Sequence, residues 1–326
     1  MKPKVIGIGE LLWDVLPSGP RMGGAPANFA CHARSLGADS RIVSRVGQDE
    51  LGEGLIRSLG ELGITTAGIS RDENHPTGTV EVELGTDGQP TYTILSGVAW
   101  DCMRVDPSLF TLMGDADAVC FGTLGQRASE SREAIQRLVQ ATPTTALRIF
   151  DVNLRQNFFS AELIHESLQM VNVLKLSDSE LPVIAGMLSL EGSVQDQLGT
   201  LLDRYELRMI AYTRGAAGSI LRDRRDWHEH PGLRAEVKDT IGAGDSFTAA
   251  VTLGLLLGWP LQRISEAANE VAAYVCSCVG AIPQLPQGLR EQFLQREEDS
   301  GFSHGASEAP DSCPSRPAHE IQAQRI

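Results

Sequence analysis

The stretch KDTIGAGDSFTAA, Lys238 to Ala250, sets three small residues, Gly242, Ala243 and Gly244, directly before one acid, Asp245, and then turns apolar. The run from Asp245 through Leu257 reads as a buried helix with the small residues at its start. The first N–H groups of a helix lack intrahelical partners, and the helix dipole adds partial positive charge there. Glycine lets a ligand come close to that backbone. The result is an anion site, for which phosphate is the natural guest. Read as structure, Asp245 is an acid capping a helix start. Read as chemistry, it takes the proton of an attacking hydroxyl while the amides hold the phosphoryl group in transfer.

Other polar residues stand where a parallel sheet presents ligands. DVNLR carries Asp151, Asn153 and Arg155 at a strand end, and strand C-terminal ends are the binding edge of such sheets. By itself Arg155 reads as one end of a surface ion pair, Asp14 as a turn acid after the first strand, and Asn28 as a helix N-terminal cap. No Gly-x-x-x-x-Gly-Lys-Ser/Thr loop occurs, and GIGELL lacks dinucleotide spacing, which counts against a dehydrogenase.

The elements that would position these groups alternate. KVIGIG is a buried strand, PANFACHARSLG a helix stopped by Gly37, SRIVSRVG a strand, and DELGEGLIRSLGELG a helix stopped by Gly63. ADAVCFG, SREAIQRLVQAT, LRIFDVN, VNVLKLS, LRMIAYTRG and GSILRD continue the pattern. Such alternation predicts an α/β fold with a mostly parallel sheet covered by helices on both faces. Thr77–Leu95 breaks it with period-two alternation and a TDGQ turn, a β-hairpin suited to a small sheet acting as a lid. A short helix, GLREQFLQREE, leads into a Ser/Pro/Gly-rich tail expected to be disordered over 298–326. The main body is expected over 1–297, with lid segments at about 10–18 and 75–102.

Bulk properties set bounds. The 326 residues include 42% apolar residues, enough for a large core, and carry a net charge of −14. An acidic balance argues against nucleic acid or an acidic membrane surface as partner. The six cysteines show no metal or disulfide spacing and read as free thiols of a reducing compartment. The N-terminus reads as a strand rather than a signal peptide, and the longest apolar stretch, Ala249–Trp259, is too short to span a bilayer. A soluble cytoplasmic protein is expected.

Over about residues 1 to 287 the chain resembles the ribokinase-like (PfkB) sugar kinases, and most of all their fructokinases. Two motifs carry the resemblance, GGAPANFACHARSLGADSRIVSRVGQDELG (Gly23–Gly52) and DTIGAGDSFTAA. GELLWD, DVNLR, KLSDSEL, YTRGAAGS and AANEVAAYVCSCVGAIPQLP support it in the family's order. The resemblance implies a ribokinase-like fold and an ATP- and Mg²⁺-dependent sugar kinase. Asp245 would be the base, and the Gly242, Ala243 and Gly244 amides the anion hole. Asp14, Gly23, Gly24 and Asn28, with Asn153 and Arg155, would bind sugar. Thr213, Gly215, Gly218 and Asn269 would border the nucleotide, and Glu180 would act on Mg²⁺ through water. Two positions depart from the family: Val152 replaces a proline, and Ser177 stands where Asn is usual. D-fructose is the favoured substrate, with ribose, 2-keto-3-deoxygluconate or a silent sugar sensor as rivals. Trp100 and Leu95 are expected over the sugar. Arg21 and Arg104 are the stray basic residues near it, too few for a sugar phosphate. Family members also dimerise through the lid and respond to a monovalent cation such as K⁺.

Overall fold

Short, β-branched apolar runs bounded by glycine form strands that bury both faces. The computed structural model describes residues 2–16, 19–84 and 90–294. Along the chain, β1 (Lys4–Ile8), β2 (Leu12–Leu16) and β3 (Gly19–Gly23) lead into α1 (Ala25–Ser35). Next come β4 (Asp39–Gly47), α2 (Glu50–Glu61), β5 (Ile69–Asp72), β6 (Gly78–Leu84) and β7 (Pro90–Ile94). After a 3₁₀ turn at Ala99–Cys102 follow α3 (Pro107–Gly114), β8 (Ala118–Phe121), α4 (Ser129–Gln140), β9 (Leu147–Asp151) and α5 (Ala161–Gln169). The chain continues with β10 (Val173–Ser177), α6 (Leu181–Leu188), α7 (Val194–Arg204), β11 (Met209–Thr213), β12 (Ser219–Asp223) and β13 (Trp227–His230). It closes with α8 (Ala243–Leu256), α9 (Leu261–Cys276) and α10 (Gln287–Leu294).

Nine strands form one sheet in the order β13-β12-β11-β10-β9-β8-β1-β4-β5. It is parallel from β5 to β11, and β12 and β13 add antiparallel to its edge. Successive strand residues point to opposite faces. Ile6 and Ile8 therefore enter a core with Leu138, Leu163, Ile184 and Leu198, while Val5 enters one with Phe29, Phe247 and Ile264. One face is covered by α3 to α7 and the other by α1, α8, α9 and α10, as the alternation implied. Caps fix several starts. Asp49 accepts from the Gly52 amide at α2, Ser160 from Leu163 at α5, and Ser193 forms a capping box with Asp196 at α7.

A second sheet has the order β3-β2-β6-β7, with β2 parallel to β6. The expected hairpin is β6–β7, and its TDGQ turn lies outside the described residues, as does the C-terminal tail. The small sheet runs further than expected: Gly19–Gly23 forms a strand beyond the expected segment at about 10–18. Its glycines and proline carry no β signal, and pairing with β2 makes the strand. Trp13 of β2 donates from Nε1 to the Leu51 carbonyl at 2.9 Å, tying this sheet to α2. Among the described residues no helix is long and apolar enough to cross a membrane.

Candidate active site

The start of α8 is shaped by Gly242, which caps the helix in the left-handed region at φ 79°. A Cβ there would lie 2.2 Å from the Ala281 carbonyl oxygen, so only glycine fits. Around Gly244 a Cβ would meet only the Lys175 ammonium, at 3.1 Å, with open space otherwise. Asp245 follows in the first turn, yet its side chain makes no cap bond. Its Oδ2 accepts from Asn28 Nδ2 at 2.8 Å, across 217 residues of chain. Burial pushes the Asp245 pKa above the ordinary value, opposed by the Asn28 bond and by the charges of Lys175 and Arg155.

Asn28 is not the cap of α1 either. Gly24 holds that position at φ 109°, and the buried Asn28 Oδ1 has no partner. The two glycines before the helix are packed against acids and backbone. A Cβ on Gly23 would lie 2.4 Å from Asp14 Oδ2, and one on Gly24 would lie 2.3 Å from the Glu10 carbonyl. Burial raises Asp14 to about 6, while Arg155 pulls it down. Arg155 itself is exposed and donates to the Leu154 carbonyl at 3.0 Å. Asp14, Asn28, Asp245 and Arg155 thus act on one region.

Sequence reasoning missed Glu10. It is 2% exposed, accepts from the Ala25 amide through Oε1 at 3.2 Å, and leaves Oε2 without a partner. Burial lifts its pKa to about 7, and the Asp245 charge adds to the rise. A charged residue inside an apolar strand end was the available signal. The same signal marked Lys175. Its ammonium bonds Asp151 Oδ1 at 2.9 Å, and Thr248 Oγ1 donates to Asp151 Oδ2 at 2.8 Å. This buried triad joins β9 and β10 to α8 one turn beyond Asp245. Burial alone would lower the Lys175 pKa, but Asp151, Glu180 and Asp245 hold it above its usual value. Asp151 is raised to about 6 by burial, against the pull of Lys175.

Further along the sheet edge, Ser177 pairs with Thr213, and the Thr213 carbonyl accepts from the Asp178 amide at 2.8 Å. Gly215 (φ 53°) has open space around it, whereas a Cβ on Gly218 would lie 2.1 Å from the His230 carbonyl. Asn269 is buried and donates to Ser219 Oγ at 2.8 Å and to the Ser265 carbonyl at 2.7 Å, bracing this turn from α9. Glu180 accepts from the Leu154 amide at 2.8 Å and from Ser177 through its amide at 2.7 Å and its hydroxyl at 2.9 Å. Asn153 sits between them at φ 44°, its carbonyl accepting from Thr123 Oγ1 at 3.2 Å.

This edge has known counterparts. The pfkB family carbohydrate kinase pattern matches residues 19–288. The chain belongs to the pfkB carbohydrate kinase family. An uncharacterised sugar kinase of Pyrococcus horikoshii is 31% identical over 288 residues, 82% of this chain and 88% of the relative. Its crystal structure with ATP superposes at a TM-score of 0.72, with 28% identity, 85% of this chain and 94% of that one covered. A fructokinase of Escherichia coli is 29% identical over 311 residues, 88% of this chain and 97% of the relative. A fructokinase of Xylella fastidiosa shares the fold at a TM-score of 0.78 and 23% identity, covering 92% and 100% of the two chains.

This pfkB kinase is therefore a phosphotransferase acting on a sugar hydroxyl, built on the ribokinase-like fold. One expectation about its periphery needs correction. Trp100 is 1% exposed and packs with Val98 and Leu124, so it belongs to the core under the small sheet. The Arg127 guanidinium stacks on its ring at 4.0 Å and pairs with Asp101 at 2.7 Å. Leu95 is partly exposed, and its carbonyl accepts from Arg127. The basic candidates also have other partners. Arg104 pairs with Glu130 at 2.9 Å, and Arg21 lies 3.9 Å from Asp239.

Proposed function

We propose that this pfkB kinase transfers the γ-phosphoryl group of ATP to a primary hydroxyl of a neutral sugar, D-fructose first, giving fructose 6-phosphate. The observation that carries the reading is the Asp245 carboxylate, half-buried in the first turn of α8 directly after Gly242–Gly244 and held by Asn28. Asp14 and the unpartnered Asn28 Oδ1 accept from sugar hydroxyls, and Gly23 and Gly24 let the ring approach backbone. Arg155 steadies the ring or the incoming phosphate. Asp245 takes the proton of the attacking hydroxyl. The amides at Gly242, Ala243 and Gly244 receive charge from the phosphoryl group, assisted by the Lys175 ammonium beside Gly244. Loss of one such donor costs about 10²–10³ in turnover.

Thr213, Gly215, Gly218 and Asn269 form the nucleotide side, where the space at Gly215 admits a ligand. Mg²⁺ would neutralise phosphate charge there. Three protein donors already occupy the Glu180 carboxylate, which fits contact through a metal-bound water rather than direct ligation. The Asp239 carboxylate accepts from the Ile241 and Gly280 amides, so a monovalent cation at this loop would rest on backbone carbonyls.

Fructose is favoured by the likeness to the Escherichia coli fructokinase and by the engagement of Arg21 and Arg104, which leaves no basic cluster suited to a sugar phosphate. The test is ADP release with Mg-ATP across neutral sugars, for the native protein and Asp245→Asn. Turnover with fructose, reduced about 10²–10⁴-fold in the variant, supports both substrate and base. Turnover with ribose or 2-keto-3-deoxygluconate instead overturns the substrate and keeps the mechanism. Sugar binding without turnover overturns the kinase reading in favour of a sensor. Because Asp245 must be ionised and its pKa is raised, kcat should fall with acid at a pH above the ordinary carboxylate range.

A further inference from the structure

A second cluster of reactive side chains lies away from this site. His75, just before β6, and Cys102, in the turn after β7, meet at 3.6 Å between Nε2 and Sγ. Asp72, at the end of β5 and 2% exposed, holds the other ring nitrogen, with Oδ2 3.1 Å from Nδ1. The three ligand atoms lie within 4.8 Å of one another. Asp72 is itself fixed by the Asn74 amide at 2.8 Å and by the Arg45 guanidinium at 3.0 Å. Arg45 also donates to the Cys102 carbonyl at 2.8 Å.

The arrangement suits a soft divalent cation better than a nucleophilic thiol. A coordinating metal deprotonates a thiol outright. Zinc with a thiolate at about 2.3 Å and an imidazole nitrogen at about 2.0–2.1 Å in tetrahedral geometry needs S and N about 3.5 Å apart. The observed 3.6 Å meets that without movement. A carboxylate on the far nitrogen of the ring is the usual support of a metal-bound histidine. Asp72 supplies it from a rigid, buried position.

We propose that His75 and Cys102, oriented by Asp72, bind a soft divalent metal such as Zn²⁺, with water completing its coordination. The two ligands stand on the two stems of the β6–β7 hairpin, so the metal would fasten that hairpin at its base. Binding displaces the Cys102 proton to solvent and forms metal–sulfur and metal–nitrogen bonds, with no change of oxidation state. The site is independent of which sugar the kinase accepts.

The experiment titrates the full-length protein with Cd²⁺, following the ultraviolet thiolate-to-metal band, and then displaces it with Zn²⁺. A background with Cys276, Cys278 and Cys313 changed to Ser leaves Cys102 with only the buried Cys31 and Cys120. One equivalent should bind in that background, the band should vanish in Cys102→Ser, and affinity should drop in His75→Gln. The drop should at least match the about 10–100-fold loss seen when a supporting partner of a metal ligand is removed. Kinase turnover with Mg-ATP, in the absence of Zn²⁺ and Cd²⁺, should be unchanged in both variants, which also reports that they fold. A band that survives Cys102→Ser, or native affinity in His75→Gln, overturns the proposal.

Discussion

Glu10 is the residue that most sets the chemistry of the free protein. It needs about 7 to ionise in the fold, and Asp14 and Asp151 need about 6. Burial disfavours their charged forms, so the folded chain holds protons that the unfolded chain has released between about pH 4 and 7. Stability from these groups is therefore greatest at the acid end of that window and falls as pH rises through it. Glu10→Gln keeps an acceptor for the Ala25 amide and removes the charge. Its melting temperature should fall less than the native one between about pH 5 and 8. The shift of Glu10 corresponds to about 3 kcal/mol at most. An unaltered pH slope in Glu10→Gln would remove this residue as the source.

Helix α8 joins the proposed anion site to the core, and the two glycines at its start, Gly242 and Gly244, have separable duties. Gly242 is confined by backbone. The Ala281 carbonyl that a Cβ would strike also bonds His32 Nε2 at 2.9 Å, so it has nowhere to move. Gly242→Ala should lower unfolding free energy by about 2 kcal/mol or more, read as a lower denaturant midpoint, and abolish turnover. Gly244 faces open space apart from the Lys175 ammonium, 3.1 Å from where a Cβ would sit. Gly244→Ala should hold stability or raise it by up to about 1 kcal/mol, because alanine is the better helix former. It should still lose turnover, because the methyl group enters the space proposed for the phosphoryl group. Equal destabilisation by both would mean that Gly244 serves packing alone.

At the scale of the whole molecule, side-chain contacts tie the small sheet to the rest of the kinase. Trp13 reaches Leu51, and Arg127 locks onto Asp101 beneath Trp100. Asp14 lies on β2 of that sheet, while Asp245 lies on α8 under the large one. If the sheet is a lid, sugar bound between them should slow amide hydrogen exchange in β2, β3, β6 and β7, and leave β8, β9 and β10 unchanged. Slowing confined to α8 would show that the sheet does not close. Closure matters to this chemistry because water competes with sugar for the phosphoryl group.

Local physics made part of this protein legible in one dimension. Alternating strand and helix patterns with glycine stops determined the parallel sheet, since periodicity and stops depend on near neighbours alone. The helix start at Gly242–Asp245, where the anion site is proposed, was legible for the same reason: a helix start is a property of a few consecutive residues. Tertiary structure decided what the acids and bases face. Asn28 meets Asp245 across 217 residues, and Lys175, Asp151 and Thr248 converge from two strands and a helix. The raised pKa of Glu10 comes from desolvation, which only packing creates. Gly19–Gly23 became a strand because β2 offered an edge, and Trp100 became core because Arg127 and Leu124 cover it. Hydrogen-bond edges and burial are relations between distant segments, so no window of sequence contains them.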